Sequence, residues 1–348
     1  MPAIPASVPP FLSVIIPARN EELNLGACLQ SLVSQTGVAF EIIVVDDHSS
    51  DRTAGIAESF SGVRVLAAPP LPPGWTGKNN ALTAGAAAAC GAWLLFTDAD
   101  TTHLPDSLRA SLEESQREQA SLVSYSPGQI VETLWEKLVM PVIFAELAGS
   151  FRPADVSDPK SPVAAANGQF ILVRKEVYTA VGGHAAIAHE LLEDVALARA
   201  VKTAGYRIFF RYGGDRLRTR MYRSFEQLRE GWTKNLVLLF PSARRLAVLR
   251  LAEFLIVLAG LGLLVFGFIH AHPVLALAGI LPGIAAFGRL RRAHFSTGTT
   301  VLSILGLPVF SYLLLRSQRL HTNSRVTWKG REYAGRATEV NPGQRLGV

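Results

Sequence analysis

Two aspartates one residue apart, Asp98 and Asp100 in "WLLFTDADTT", close a run apolar enough to cross a buried sheet. In an extended segment, residues two apart point the same way, so the pair can bite one cation. Oxygen ligands with few nitrogens nearby favour Mg²⁺ or Mn²⁺ shared with substrate phosphates. Asp-x-Asp is also an ordinary solvated turn, and only its place at a strand end beside other acids favours the cation. A second acidic run, "VVDDHSSDRT", follows another apolar stretch. Asp46 or Asp47 can accept hydrogen bonds from a nucleobase or ribose, while Ser50 or Asp51 can cap the next helix. Capping explains one of these acids, not three. Lys78 in "GWTGKNNAL" is a phosphate or base contact, or a solvated lysine. It is not a P-loop lysine, because Pro72 stands where the first glycine belongs and no Ser or Thr follows. Glu193 and Asp194 in "HELLEDVALARAV" sit where a helix begins. Acids there often serve only the helix dipole. They can equally take a proton from an acceptor hydroxyl. Last, "RTRMYRSFEQLREGWTKN" is either a basic belt facing anionic lipid or a clamp for a leaving diphosphate.

These residues need elements to hold them. "FLSVIIPA", "FEIIVVDD", "VRVLAA" and "AWLLFTDAD" read as strands, nearly continuous in apolar residues, as a parallel sheet covered on both faces requires. Between them, "EELNLGACLQSLVSQ", "DRTAGIAESF" and "NNALTAGAAAAC" read as helices. Strand and helix in alternation predict an α/β domain with right-handed crossovers. Its ligands belong beyond the carboxyl ends of the strands. Asp46, Asp47, Asp98 and Asp100 fall at such ends, as do Arg19, Asn20 and Glu21. No G-x-G-x-x-G follows a strand, so a dinucleotide site lacks its fingerprint.

Of 348 residues, 49% are hydrophobic and 18% charged. That is too apolar for a purely soluble enzyme and too polar for membrane spans alone. The net charge of +6 suits phosphate-bearing ligands or a membrane surface; no nucleic-acid partner is expected. Two cysteines, Cys28 and Cys90, make no framework, which suits a reducing compartment. The start lacks a basic segment followed by a long apolar one, so no secretory signal is read there and the catalytic part is expected in the cytoplasm. "LAEFLIVLAGLGLLVFGFI" is long enough to span a bilayer, while "HPVLALAGILPGIAAFG" and "TTVLSILGLPVFSYLLL" are shorter and interrupted by proline. Orientation is in conflict. Arginines flank all three segments, and the positive-inside rule would keep them all cytoplasmic, yet three full crossings send the tail outside. The expected organisation is a catalytic domain over 11–235, a membrane-associated region over 236–320 and a basic tail over 321–348.

Taken together, "SVIIPARNEE", "VVDDHSSDRT", "FTDAD", "LLEDVALA" and "EGWTKN" resemble, in order and spacing, the family-2 glycosyltransferases with a GT-A fold. The likeness covers roughly the first 235 residues. Within that family, "PGWTGKNNAL", the "GGH" at Gly182–His184 and "VTWKGREY" look most like the membrane enzymes that glycosylate carotenoid or hopanoid lipids. The resemblance implies a mixed, mainly parallel sheet, a nucleotide-sugar donor of UDP-linked type and a membrane lipid acceptor at the inner membrane. It places Pro17, Arg19 and Glu21 in the nucleotide pocket, with Asp47 or Asp46 on uracil and ribose and Lys78 nearby. Asp98 would approach the ribose or donor sugar, and Asp100 would hold the metal. Asp194 would be the general base of an inverting transfer, with Glu193 beside it. Gln227, Arg229 and Trp232 depart from the Gln-x-x-Arg-Trp of the processive synthases, which argues against a polymerase and leaves open which arginine meets the diphosphate. A polyprenyl-phosphate acceptor, or an idle membrane-tethered nucleotide-binding module, are the rival readings.

Overall fold

All four expected strands form. The computed structural model describes residues 11–322, and the backbone of Val326–Trp328 and Arg331–Tyr333 as two short antiparallel strands. Most of the tail over 321–348, including part of "VTWKGREY", lies outside the described residues, as does the start before Phe11. The chain divides into two compact units, the first of 11–130 and 153–220, the second of 131–152 and 221–322 among described residues.

The first unit is built on ten strands: β1 Leu12–Ala18, β2 Phe40–Asp46, β3 Val63–Ala67, β4 Trp93–Phe96, β5 Thr101–His103, β6 Leu122–Ser126, β7 Gly128–Gln129, β8 Ile171–Arg174, β9 Ile208–Tyr212 and β10 Leu217–Thr219. Seven make one sheet in the order β3-β2-β1-β4-β8-β6-β9. Every pairing in it is parallel except those of β8, which runs antiparallel between β4 and β6. β5, β10 and β7 form a small second sheet. Register fixes the rim. Ala18 of β1 is level with Asp46 of β2, and Asp46 with Ala67 of β3. Phe96 of β4 is level with Ile15, so the chain after β4 has three residues in which to climb to the same edge. Val14, Ile16, Val44, Leu95 and Leu172 from the sheet join Leu25, Leu29 and Leu32 of the Leu25–Val33 helix in a dry core. Burial of this kind is worth roughly 25 cal/mol per Å² of apolar surface removed from water, and it makes the rim rigid.

The second unit is helical. Leu134–Ser150, Phe225–Leu239, Ala243–Ile269, Pro273–Leu290, Thr297–Leu302 and Leu307–Thr322 are its α-helices. Where the sequence reading carries the α/β domain to 235, the first unit closes at Arg220, and Val131–Arg152 belongs with the helices. The reason is burial: Val139, Met140, Val142 and Ile143 of the Leu134–Ser150 helix share a core with Leu228, Trp232, Leu236 and Phe310. Three helical stretches, Ala243–Ile269, Pro273–Ala293 and Thr297–Thr322, are long and apolar enough to cross a membrane.

Candidate functional site

The rim is first a lacework of loops. After β1, the Asn20 N–H donates to Ser49 Oγ at 3.0 Å, that of Glu21 to Thr53 Oγ1 at 2.8 Å, and that of Glu22 to Asp51 Oδ2 at 3.2 Å. In return the Ser50 N–H donates to Asn20 Oδ1 at 2.9 Å. "ARNEE" and "DDHSSDRT" thus hold each other, with Asn20 and His48 in the left-handed region that the turns demand. The Thr53–Glu58 helix has Arg52 at its N-cap and no side-chain cap, so the expected capping by Ser50 or Asp51 is corrected; Asp51 accepts the Thr53 N–H at 3.0 Å in the turn before it. Asp47 is buried, and the Arg19 guanidinium donates to its carbonyl at 2.7 Å. Asp46 accepts the Ser49 N–H at 3.3 Å through Oδ2, while its Oδ1 is buried without a hydrogen-bond partner. Pro17 lies in β1 opposite Val45, half-buried.

The second half of the site centres on an ammonium. Lys78 opens the Gly77–Ala88 helix, whose start is capped by Thr76. Its Nζ lies 2.7 Å from Asp98 Oδ1 and 2.6 Å from Glu193 Oε1. Glu193 and Asp194 begin the Glu193–Thr203 helix. Asp194 accepts N–H groups from Val195 at 2.8 Å and from Gly168 at 3.0 Å. Burial first, then the neighbouring Glu193 charge, raise the Asp194 carboxyl; Lys78 and the two N–H donors pull it back, leaving it at about 6. Against the pull of burial, Asp98 and Glu193 hold the Lys78 ammonium protonated well above its usual range.

The expectation that Asp98 and Asp100 lie in an extended segment is corrected. β4 ends at Phe96, and the Thr101 N–H returns to the Asp98 carbonyl at 3.2 Å, so the two carboxylates leave a turn. Asp98 goes to Lys78. Asp100 goes to Gln169, whose buried amide donates to Asp100 Oδ1 at 3.4 Å and to Thr219 Oγ1 at 3.0 Å. Thr219 in turn donates to the Asp100 carbonyl at 3.1 Å. Beneath them the buried Cys28 thiol is pushed up by burial and by the fields of Asp100, Asp98 and Glu21, so two separate segments bring negative charge to one spot.

"ANGQF" (166–170) is the junction that sequence reasoning missed. Gly168 touches Asp194 through its N–H and Gln169 touches Asp100 through its side chain. A Cβ on Gly168 would stand 3.0 Å from Lys78 Nζ and 3.1 Å from Glu193 Oε1. The signal was present as an Asn-Gly turn between two apolar runs, but nothing in its type marks it as touching acids. Gly168→Ala should therefore displace Lys78 and cost about 1–3 kcal/mol, the range for an added methyl in a filled site. A urea-unfolding midpoint unchanged from wild type would show that the contact is slack. His184 of "GGH" is wholly buried against Tyr178 and Phe96, with its pKa pushed down to about 3 by burial and Lys78.

Arg229 and Trp232 belong to the second unit. Trp232 is buried, its indole N–H donating to Met140 Sδ at 3.3 Å. Its surroundings are those of a core residue. Arg229 lies over the Phe225 ring, 6.0 Å from its centroid.

For the implied cation, no group of three or more His, Cys, Asp or Glu that could cage a metal occurs among the described residues. A hard cation held through one or two carboxylates and completed by diphosphate oxygens and water needs no such cage. The all-oxygen donors around Asp100 fit it. Lys78 already grips Asp98, which leaves Asp100 as the fitting ligand.

Residues 13–182 match the family model for glycosyl transferase family 2. The chain is 29% identical over 332 residues to 4,4'-diaponeurosporenoate glycosyltransferase of Staphylococcus aureus, covering 93% of this chain and 88% of that one. Among solved structures it is similar to the mannosyltransferase PcManGT of Pyrobaculum calidifontis, determined with GDP-Man and Mn²⁺. The TM-score is 0.56 at 18% identity, over 90% of this chain and 87% of that one. That likeness is one of fold.

Proposed function

We propose that the chain, a family-2 glycosyltransferase, moves one sugar from a nucleoside-diphosphate donor to a hydroxyl or carboxyl of a membrane lipid of carotenoid or hopanoid type. The observation that carries the reading is the carboxyl of Asp194, raised to about 6 and fixed by two backbone N–H groups within the ring of Lys78, Asp98 and Glu193. A group with that affinity for protons is ionised at neutral pH yet still a useful base.

Chemistry on this rim is a single displacement. The acceptor oxygen bonds to the anomeric carbon while the carbon–oxygen bond to the diphosphate breaks, and the acceptor proton passes to Asp194. One face of the carbon is attacked as the other is vacated, so its configuration inverts. Asp46 or Asp47 would receive the base and ribose of a donor read as UDP-linked, with Arg19 bracing the Asp47 carbonyl. Lys78 holds Glu193 and Asp98, and it keeps two negative charges from crowding Asp194 unneutralised. Mg²⁺ or Mn²⁺, held by Asp100, would neutralise the diphosphate as it leaves. The lipid acceptor agrees with the three apolar helices, and its class with the name of the relative that is 29% identical.

Membranes holding the protein, given a panel of nucleotide sugars, should yield a lipid heavier by one hexose in mass spectra of the organic extract. Chelation should stop its formation, and added Mn²⁺ should restore it. Donor bound but never transferred would leave only the idle module. A product released by mild acid would instead point to a polyprenyl-phosphate acceptor.

A further inference from the structure

Four charged side chains of the second unit close a ring. Glu146 of the Leu134–Ser150 helix lies 2.9 Å from Arg250 Nε and 2.5 Å from Arg289 Nη1. Glu253 lies 2.7 Å from Arg250 Nη1 and 3.0 Å from Arg289 Nη2. All four side chains are largely shielded, between 10% and 20% exposed. Two positive and two negative charges cancel, as a cluster at the edge of an apolar layer must. Between Glu253 and Arg289 the sequence has no Asp, Glu, Lys or Arg.

Beyond this ring two helices run out and back. Gly260 and Gly279 meet backbone to backbone: a Cβ on Gly260 would stand 2.7 Å from the Gly279 carbonyl, and one on Gly267 would stand 2.4 Å from the Ala276 nitrogen. Close approach through small residues is how helices pair in lipid. Their outer faces are bare hydrocarbon, with Leu255, Ile256, Phe268, Val274, Leu277 and Ile284 each more than half exposed. Only 11% and 17% of their apolar windows are buried by protein, against 44% for the third apolar stretch. That third stretch is bound by polar contacts to a charged neighbour. Ser317 Oγ donates to the Thr233 carbonyl at 2.7 Å and accepts the Val237 N–H at 3.0 Å, and the His321 ring bonds the Lys234 carbonyl at 2.9 Å. A helix packed along Phe225–Leu239, which carries Arg229, Glu230 and Lys234, cannot cross a bilayer without taking those charges with it.

We propose that this chain enters the bilayer as a helical hairpin, residues 254–288, whose two ends emerge on one face. The stretch Thr297–Thr322 stays on that same face. Each arm between the ring and the tip is about 24 Å long, and the tip is His270-Ala271-His272, with Ala271 in the left-handed region. The arginines that conflict under three crossings then all lie on one side: Arg244 and Arg245 before the hairpin, Arg291 and Arg292 after it, Arg319 on the last helix. The partner is the lipid bilayer itself, and the proposal does not depend on which acceptor is glycosylated.

Single cysteines at the exposed Ser242, Ser296 and Gln318, in a Cys90→Ser background with Cys28 buried, test it with an impermeant maleimide. In sealed vesicles of one orientation all three should label alike, and in the opposite orientation none should. Gln318→Cys labelling from the face opposite to Ser242→Cys and Ser296→Cys would overturn the proposal by showing a third crossing. Ser242→Cys and Ser296→Cys labelling from opposite faces would overturn the hairpin. Sugar transfer in the same vesicles reports the glycosylation reading separately.

Discussion

Asp194→Asn should lower kcat about 10³-fold, within the range that a positioned general base supplies, while nucleotide binding stays largely intact. Asparagine keeps the shape, but its single carbonyl oxygen can accept only one of the Gly168 and Val195 N–H groups, which reach Oδ2 and Oδ1 of Asp194 respectively. It loses the lone pair that would accept a proton. The acid limb of the wild-type kcat/KM profile should lie at about 6, where the carboxyl titrates, with rate rising as the pH passes upward through it. In the variant that limb should vanish. The stability effect has the opposite sense. With its folded pKa raised above the usual 3.8, this carboxyl holds more protons folded than unfolded between those values, so its ionisation costs stability as pH rises. The enzyme accepts that cost where the base must work. Initial rates of label transfer to extractable lipid, across pH, measure both. A loss below tenfold with the limb retained would remove the base assignment and favour an acceptor that attacks already ionised, as a carboxylate does.

Lys78→Met should upset both the stability and the chemistry of the first unit's site. It leaves Asp98, Glu193 and Asp194 crowded with no cation among them. Breaking a buried pair costs about 3–5 kcal/mol, but Lys78 is 34% and Asp98 28% exposed, so solvent screening brings the expected loss to about 2 kcal/mol. For this unit that is roughly 5 °C in Tm. Asp194, already raised to about 6 and freed of the lowering Lys78 charge, would take up a proton more readily, so the deficit should shrink as pH falls from 8 to 5. In the wild type the Lys78 contribution runs the other way: its folded pKa is raised, so stabilisation is complete below the ordinary lysine pKa and fades only above it. Transfer should fall at least 10²-fold, because Glu193 and Asp98 lose the group that orients them. Thermal melts across pH on the purified variant check this; a deficit independent of pH would mean that the acids are not coupled through Lys78.

Much of this was legible before any coordinates. β1 to β3 and the rim that ends them follow from apolar runs bounded by polar turns, because a strand buried on both faces has no other composition to adopt. The acids at their ends were legible for the same reason. What the residues did not disclose was the pairing. β6, β8 and β9 are short and alternate poorly, and the antiparallel insertion of β8 between β4 and β6 is decided by long-range register. Asp98 and Asp100 sound like one chelating pair, yet a turn after Phe96 sends one to Lys78 and the other to Gln169. Gly168 and Gln169 were invisible because a glycine and an amide gain meaning only from what lies opposite them. In the second unit, Trp232 belongs to a motif near a basic run, while its buried contact with Met140 is tertiary. The Leu134–Ser150 helix reads locally as an apolar stretch of the catalytic domain, and only its core partners assign it to the helical unit.

Where a donor and its cation settle decides the roles of Asp100 and Asp194. Crystals grown with a nucleoside diphosphate and Mn²⁺, measured at the manganese absorption edge, should show one strong anomalous peak. It should lie at Asp100 beside the diphosphate, with the nucleoside against Asp46 and Asp47 and with Asp194 on the side where an acceptor would enter. Manganese and diphosphate bound elsewhere on the chain, with Asp100 still turned to Gln169, would contradict it.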